Sequence, residues 1–207
     1  MTAIEIPTPH GPAVAHLRRA ATDPVGALVL GHGAGGGVAA PDLVAVTEVA
    51  VSLGFVVVLV EQPYRVAGRR SPAPAQHLDT AWTAVIEHLL DGELSGLGIV
   101  AGGRSSGARV ACRTAERTGA AGVLCLAFPL RPPARKGRAP APGRLPELKA
   151  VRVPVLIVQG QSDLFGMPPD APGREVARVR GNHSLRSDRR ALVDAVTVWL
   201  PRVLPGR

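Results

Sequence analysis

The sequence predicts an α/β fold with a mostly parallel sheet and helices on both faces. Three observations predict it. Short apolar runs recur at 25–30, 55–60, 97–101, 122–126 and 154–159, each ended by Gly, Pro or a polar residue. Continuous apolarity over about six residues suits a strand buried on both faces. Stretches with helical spacing lie between these runs, and strand–helix–strand repetition places helices across a parallel sheet. Finally, 207 residues with 46% hydrophobic content are enough to bury a substantial core.

In chain order, residues 13–19 can add an edge strand before the first clear strand at 25–30. Leu43, Val46, Val49/Ala50 and Leu53 then form an apolar stripe. After the strand at 55–60, a second stripe comprises Trp82, Val85/Ile86 and Leu89. The strand at 97–101 leads to a third, Ala108, Ala111/Cys112 and Ala115. Between the strands at 122–126 and 154–159 runs a basic, Pro/Arg-rich excursion, 129–150. A weaker sixth strand is expected at 176–180. Leu192, Ala195/Val196 and Trp199 form the last stripe. Neither an internal repeat nor a linker divides the chain, so 1–207 reads as a single domain.

Composition excludes several classes. The 24 glycines and 20 prolines fall between apolar runs and form no low-complexity block. Two cysteines cannot build a disulfide framework, and Cys112 and Cys125 read as core residues of a reduced, cytoplasmic protein. No run approaches the ~18 apolar residues of a membrane span. Glu5 and Pro7 interrupt what a signal peptide would need. The net charge of +8 is local, because Arg131, Arg135, Lys136, Arg138, Arg144, Lys149 and Arg152 face only Glu147 within 131–152. With 3% aromatic residues there is no surface for base stacking, and nucleic acid is not an expected partner.

The chemistry concentrates at Gly103-Arg104-Ser105-Ser106-Gly107, a Gly-x-Ser-x-Gly segment with a strand before it and an amphipathic helix after it. That setting is a nucleophile elbow: small residues let strand and helix approach while Ser105 is held exposed at the turn. The amide of Ser106 then points to where an oxyanion would form. In such a fold the acid and the base follow the serine, in that order. Only His183 of the six histidines follows Ser105. Among the acids between them, Asp163 lies just past the strand at 154–159, at the carboxyl edge of the sheet. Ser105 is thus expected as nucleophile, His183 as base and Asp163 as the acid that fixes its tautomer. Activity should fall in acid, since the base must be neutral to accept a proton.

The second oxyanion amide is expected from the glycine-rich loop His32-Gly33-Ala34-Gly35-Gly36, at Ala34 with Gly35 next, and His32 reads as a brace of that loop. The rival reading, a phosphate or dinucleotide loop, lacks the Lys-Ser/Thr of a P-loop. It keeps only Glu61 as a possible ribose ligand and leaves Ser105, Asp163 and His183 unused. Tyr64, Arg104 and Arg131 are candidate substrate-lining residues. Arg109, Arg113 and Arg117 read as a solvated helix stripe.

The segments His32-Gly-Ala-Gly-Gly, Glu61-Gln-Pro-Tyr64, Gly102-Gly-Arg-Ser-Ser-Gly-Ala-Arg109, Phe128-Pro-Leu-Arg-Pro-Pro133, Ser162-Asp-Leu-Phe-Gly166 and Gly181-Asn-His-Ser184 resemble the small lidless α/β-hydrolases related to dienelactone hydrolase. The likeness is strongest to the branch of testis-expressed hydrolase-like proteins and a subunit of the NSL chromatin complex. It implies an α/β-hydrolase fold without a cap domain, and a nucleophile, acid and base at Ser105, Asp163 and His183. Ser106 stands where relatives commonly carry Met, which keeps the backbone amide but changes the pocket lining. The expected activity is hydrolysis of a small carboxylic ester or thioester through an acyl-enzyme, with no cofactor and no metal. The basic excursion would favour an anionic substrate or an acidic partner. The alternative is a non-catalytic interaction module that uses the basic 131–152 segment. The oligomeric state is not legible.

Overall fold

Eight strands, β1 (Thr2–Ile6), β2 (Ala13–Arg18), β3 (Gly26–Gly31), β4 (Phe55–Glu61), β5 (Ile99–Arg104), β6 (Gly122–Leu126), β7 (Val155–Gly160) and β8 (Arg174–Val179), form a sheet in the order β1-β2-β4-β3-β5-β6-β7-β8. They are seen in a computed structural model that describes residues 2–20, 23–132 and 141–204. The β1–β2 and β2–β4 pairs are antiparallel and the remaining pairs are parallel. This is the α/β-hydrolase arrangement expected from the sequence.

The helices are α1 (Pro41–Ser52), α2 (Pro63–Val66), α3 (Ala75–Asp91), α4 (Ser106–Thr114), α5 (Leu145–Ala150) and α6 (Arg189–Trp199). Strand side chains alternate between two buried layers, which explains the unbroken apolar runs. Val29, Val56 and Val58 pack with Trp82 and Leu89 of α3 and Ala108 and Ala111 of α4. Leu28, Leu30 and Val57 pack with Leu43 and Val46 of α1 and Val196 and Trp199 of α6. Trp82 and Trp199 are almost wholly buried, as their stripes predict, and so are Cys112 and Cys125.

Some details differ from the sequence reading. The 13–19 segment is not the edge, because β1 pairs along its outer side. With only Ile6 of β1 fully buried, that strand carries no apolar run to detect. Strand β5 extends to Arg104 although Gly102 and Gly103 look like turn residues. A Cβ on Gly102 would stand 2.5 Å from the Leu124 carbonyl oxygen, so the glycine serves close strand packing. Helix α5 falls inside the 129–150 excursion, where no helix was anticipated. It also corrects the reading of the arginine stripe. Arg109 and Arg113 are part-buried and bind Glu147 of α5, and Arg113 also binds Asp79 of α3. Among the described residues between β6 and β7 there is no other element, and no cap covers the sheet edge. Residues 133–140, which include Arg135, Lys136 and Arg138, lie outside the described residues.

The chain passes from β3 to β4 on one side and then to β5 on the other. The elbow therefore lies where the strand order reverses, the crevice in which open α/β sheets place their ligands. There α4 crosses the end of β3 at backbone distance. A Cβ on Gly107 would lie 2.5 Å from the Gly31 carbonyl carbon and 2.9 Å from the His32 carbonyl oxygen. Backbone on both sides cannot yield as a side chain could. Gly107→Ala is expected to lose at least about 2 kcal/mol of stability. Gly36→Ala, with open space around it, should stay close to wild type. Urea unfolding of the two variants checks this, and equal midpoints would contradict it.

Candidate active site

Ser105 joins β5 to α4 with φ 51° and ψ −105°, a conformation that L residues seldom adopt. The strain is held by its surroundings. The Ser105 amide donates to the Leu126 carbonyl at 2.8 Å, fastening the turn to β6, and Gly107 lets α4 close against β3. Ser105 stands at the N-cap of α4, so the Ser106 amide belongs to the first turn, whose amides have no intrahelical acceptor.

His183 comes from the loop between β8 and α6, Asp163 from the loop after β7. The Ser105 hydroxyl lies 3.0 Å from His183 Nε2, and His183 Nδ1 lies 2.8 Å from Asp163 Oδ2. The Asp163 side chain is 1% exposed and that of His183 23%. A carboxylate accepts only, so Nδ1 carries the hydrogen and Nε2 presents a lone pair to Ser105. Asp163 is itself held: the Phe165 amide donates to Oδ1 at 2.9 Å and Gln159 Nε2 to Oδ2 at 2.8 Å. Gln159, wholly buried at the end of β7, also donates to the carbonyls of Phe128 and Gly166. The Phe165 ring covers one side of the imidazole, with centroids 4.4 Å apart.

Arg104 makes two bonds within the protein. Its Nε donates to Asp42 Oδ2 at 2.8 Å and its Nη2 to the His183 carbonyl at 3.1 Å. Arg104 thus straps the start of α1 to the His183 loop, immediately beside Ser105. Burial pushes the Asp42 carboxyl above its ordinary value of 3.8, and the Arg104 charge opposes that shift. Arg131 is exposed and anchored by its amide to the Phe165 carbonyl at 2.8 Å, which brings the start of the basic excursion onto the loop that carries Asp163.

The glycine-rich loop follows β3. A Cβ on Gly33 would lie 3.6 Å from Ser105 Cβ, so the loop passes directly beside Ser105. Ala34 comes next, its carbonyl accepting from the Tyr64 hydroxyl at 3.1 Å. Tyr64 is buried and props the loop from below. Gly35 faces open space. His32 braces the loop. The Gln62 amide donates to His32 Nε2 at 3.1 Å, so Nδ1 must be the protonated nitrogen, and it donates to the Gly33 carbonyl at 2.8 Å.

Burial lowers the His32 pKa below its ordinary 6.5, because a charged imidazole there would lose its water. The unfolded chain takes up a proton below that value and the native chain does not. Stability contributed by neutral His32 is therefore complete above 6.5 and is lost as the pH falls below it. Urea midpoints at about pH 7.5 and about 5.5 should fall further in wild type than in His32→Gln. An equal fall in both would contradict this assignment.

Asp42, Gln159 and Phe165 carried no strong signal in the sequence. A glutamine ending an apolar strand run and a phenylalanine two residues past the acid were the available hints. Asp42 had none beyond its place at the start of a helix.

The fold has counterparts. Residues 24–191 match the family model described as an alpha/beta hydrolase domain. No curated protein matches the chain with significance. Among solved structures, an α/β serine hydrolase without a lid from Xanthomonas campestris is similar at TM-score 0.74 and 18% identity, covering 99% of this chain and 96% of that one. A dienelactone hydrolase from Anabaena variabilis is similar at TM-score 0.76 and 16% identity, covering 99% and 98%. An esterase from Pyrococcus furiosus is similar at TM-score 0.77 and 16% identity, covering 98% and 92%.

Proposed function

The chain belongs to the alpha/beta hydrolase domain family, and from that premise we propose that it is a serine hydrolase acting on small carboxylic esters or thioesters. The observation that carries this reading is the unbroken relay from Ser105 through His183 to Asp163, at 3.0 and 2.8 Å. In the proposed cycle, His183 Nε2 takes the Ser105 proton as Oγ attacks the acyl carbon. The amides of Ser106 and Ala34, with Gly35 next, receive the oxyanion; His32 holds the Gly33 carbonyl, whose peptide carries the Ala34 N–H, and Tyr64 holds the Ala34 carbonyl, whose peptide carries the Gly35 N–H. Protonated His183 then gives its proton to the leaving alcohol or thiol, and the acyl group stays on Ser105. Water, deprotonated by the same imidazole, releases the acid. Each of these steps uses side chains and backbone of this chain.

We read 1–207 as one domain working in the cytoplasm. Among the described residues no helix is long and apolar enough to cross a membrane, and the two thiols are free. The motif likeness supports placing the chain beside the testis-expressed and NSL-subunit branch. Arg131, folded onto the acid loop, keeps an anionic substrate within this proposal.

A fluorophosphonate probe tests the reading. It should add its phosphonyl group to the peptide that contains Ser105, and turnover of 4-nitrophenyl esters should stop in proportion. Folded protein that neither labels nor turns over any ester or acyl thioester would favour the interaction-module reading over the enzyme.

A further inference from the structure

One guanidinium meets three of the segments that surround Ser105. Arg104 is the last residue of β5 and directly precedes Ser105. Its Nε donates to Asp42 Oδ2 in the first turn of α1, and its Nη2 donates to the His183 carbonyl. Its Nη1 lies against the glycine-rich loop, where a Cβ on Gly33 would stand 3.1 Å from it. Glycine at 33 leaves the space that the guanidinium uses. The Arg104 side chain is 19% exposed and that of Asp42 is 0% exposed.

Stability alone is a poor account of this pair. Replacing a buried ion pair by apolar residues of similar volume is often neutral or stabilising, because the loss of water around both charges offsets their attraction. What the pair supplies is direction. Asp42 is fixed on its other side, Oδ1 accepting from the Leu43 amide at 3.0 Å. It therefore orients the planar guanidinium, whose remaining donors point where the rigid fork sends them. One of them meets the carbonyl of the residue that carries the imidazole. Elsewhere in that loop the Gly181 carbonyl accepts from the Ser162 amide, and the Asn182 carbonyl from the Leu185 amide. At His183 the backbone is held by Arg104.

We propose that Arg104, oriented by Asp42, is a positioning residue that holds His183 by its backbone and so keeps Nε2 aimed at the Ser105 hydroxyl. The proposal rests on the hydrolase reading, in which His183 moves a proton in both acylation and deacylation. A displacement of about 1 Å at such a group costs about 100-fold in rate. Because the strap starts from the residue next to Ser105, it sets the position of the base relative to the nucleophile directly. The same guanidinium lies against Gly33, so the glycine-rich loop is placed by the same side chain.

The test replaces both charges by apolar side chains, in Arg104→Met/Asp42→Leu, since either substitution alone strands a buried charge. The double variant should unfold near the wild-type urea midpoint. Its kcat for 4-nitrophenyl hexanoate should fall about 100-fold while KM stays within about threefold of wild type. The kcat for mono-4-nitrophenyl adipate should fall by the same factor. Arg104→Lys keeps a charge beside Asp42, but one ammonium cannot reproduce both bonds of the fork, and it should lose about as much kcat. A direct readout is the low-field proton signal of His183 Nδ1–H, identified by its loss in His183→Gln. It should be sharp in wild type and broadened in the double variant, where a loosened imidazole exchanges its proton with water. Wild-type kcat in the folded double variant overturns the proposal. So does a loss confined to the carboxylate-bearing ester, which would make Arg104 a substrate contact. If the double variant does not fold, Arg104→Lys decides, and wild-type kcat there overturns the proposal. Should wild type neither turn over an ester nor take up a fluorophosphonate, the hydrolase reading fails and positioning is judged by the proton signal alone. Broadening in the double variant then upholds it, and a signal absent from wild type or unchanged in the variant overturns it.

Discussion

Ser105→Ala is expected to lower kcat for ester hydrolysis by about 10⁵-fold or more, down to the level left by substrate binding and the oxyanion amides. The attacking oxygen is gone, and no neighbour can replace it. Ser106 is one residue away, yet as the first residue of α4 it offers its amide rather than its hydroxyl. Ser106→Ala keeps that amide and should stay within about tenfold of wild-type kcat. The elbow geometry makes this contrast specific, since only Ser105 has its hydroxyl 3.0 Å from His183 Nε2. Both variants should unfold at nearly the wild-type urea midpoint, Ser105→Ala slightly above or below it as strain at φ 51° changes. Single-turnover kinetics and intact-mass analysis of the acyl-enzyme check the prediction. Equal losses in two folded variants would remove Ser105 from its proposed role.

The second large effect is expected at the acid. Asp163→Asn should lower kcat by about 10⁴-fold with little change in fold. Both carboxylate oxygens accept bonds here: Oδ1 from the Phe165 amide, Oδ2 from Gln159 Nε2 and His183 Nδ1. An asparagine can satisfy only one side. If its oxygen accepts from Phe165, its NH₂ group opposes the Gln159 donor and donates to His183 Nδ1. The imidazole hydrogen then moves to Nε2, which can no longer take the Ser105 proton. If the amide is turned over, the tautomer survives but two N–H donors face each other at Phe165. Gln159 therefore takes part in setting the tautomer: its donor opposes the orientation that moves the imidazole hydrogen to Nε2, so Gln159→Leu should lower, not restore, the activity left in the Asp163→Asn background. A single Asn variant with near wild-type kcat would show that His183 does not depend on Asp163.

The sequence made some parts of this site legible and left others hidden, for physical reasons. Ser105 could be found because an elbow needs glycines at fixed offsets between a strand and a helix, and all of those requirements are local. Asp163 could be singled out because it follows a strand whose apolar run is visible, and His183 because no other histidine lies beyond the serine. The strap formed by Arg104 had no such signal. It joins residues 62 and 79 positions apart in sequence, so nothing local to Arg104 announces Asp42 and the His183 carbonyl as its partners. Arg109 and Arg113 misled for the same reason. Helical spacing places them on one face, but spacing does not say that Glu147 and Asp79 will cover it.

By itself, the sequence determined the class of fold, the succession of buried strands and amphipathic helices, and which residues stand at strand ends. Those features follow from periodicity and backbone sterics within a few residues. The tertiary structure decided the rest: the strand order that puts β5 between β3 and β6, the edge taken by β1, and the passage of the glycine loop against Ser105. It also decided which cations are paired. These depend on contacts between distant segments, where packing and desolvation choose among arrangements that the local pattern leaves equally open.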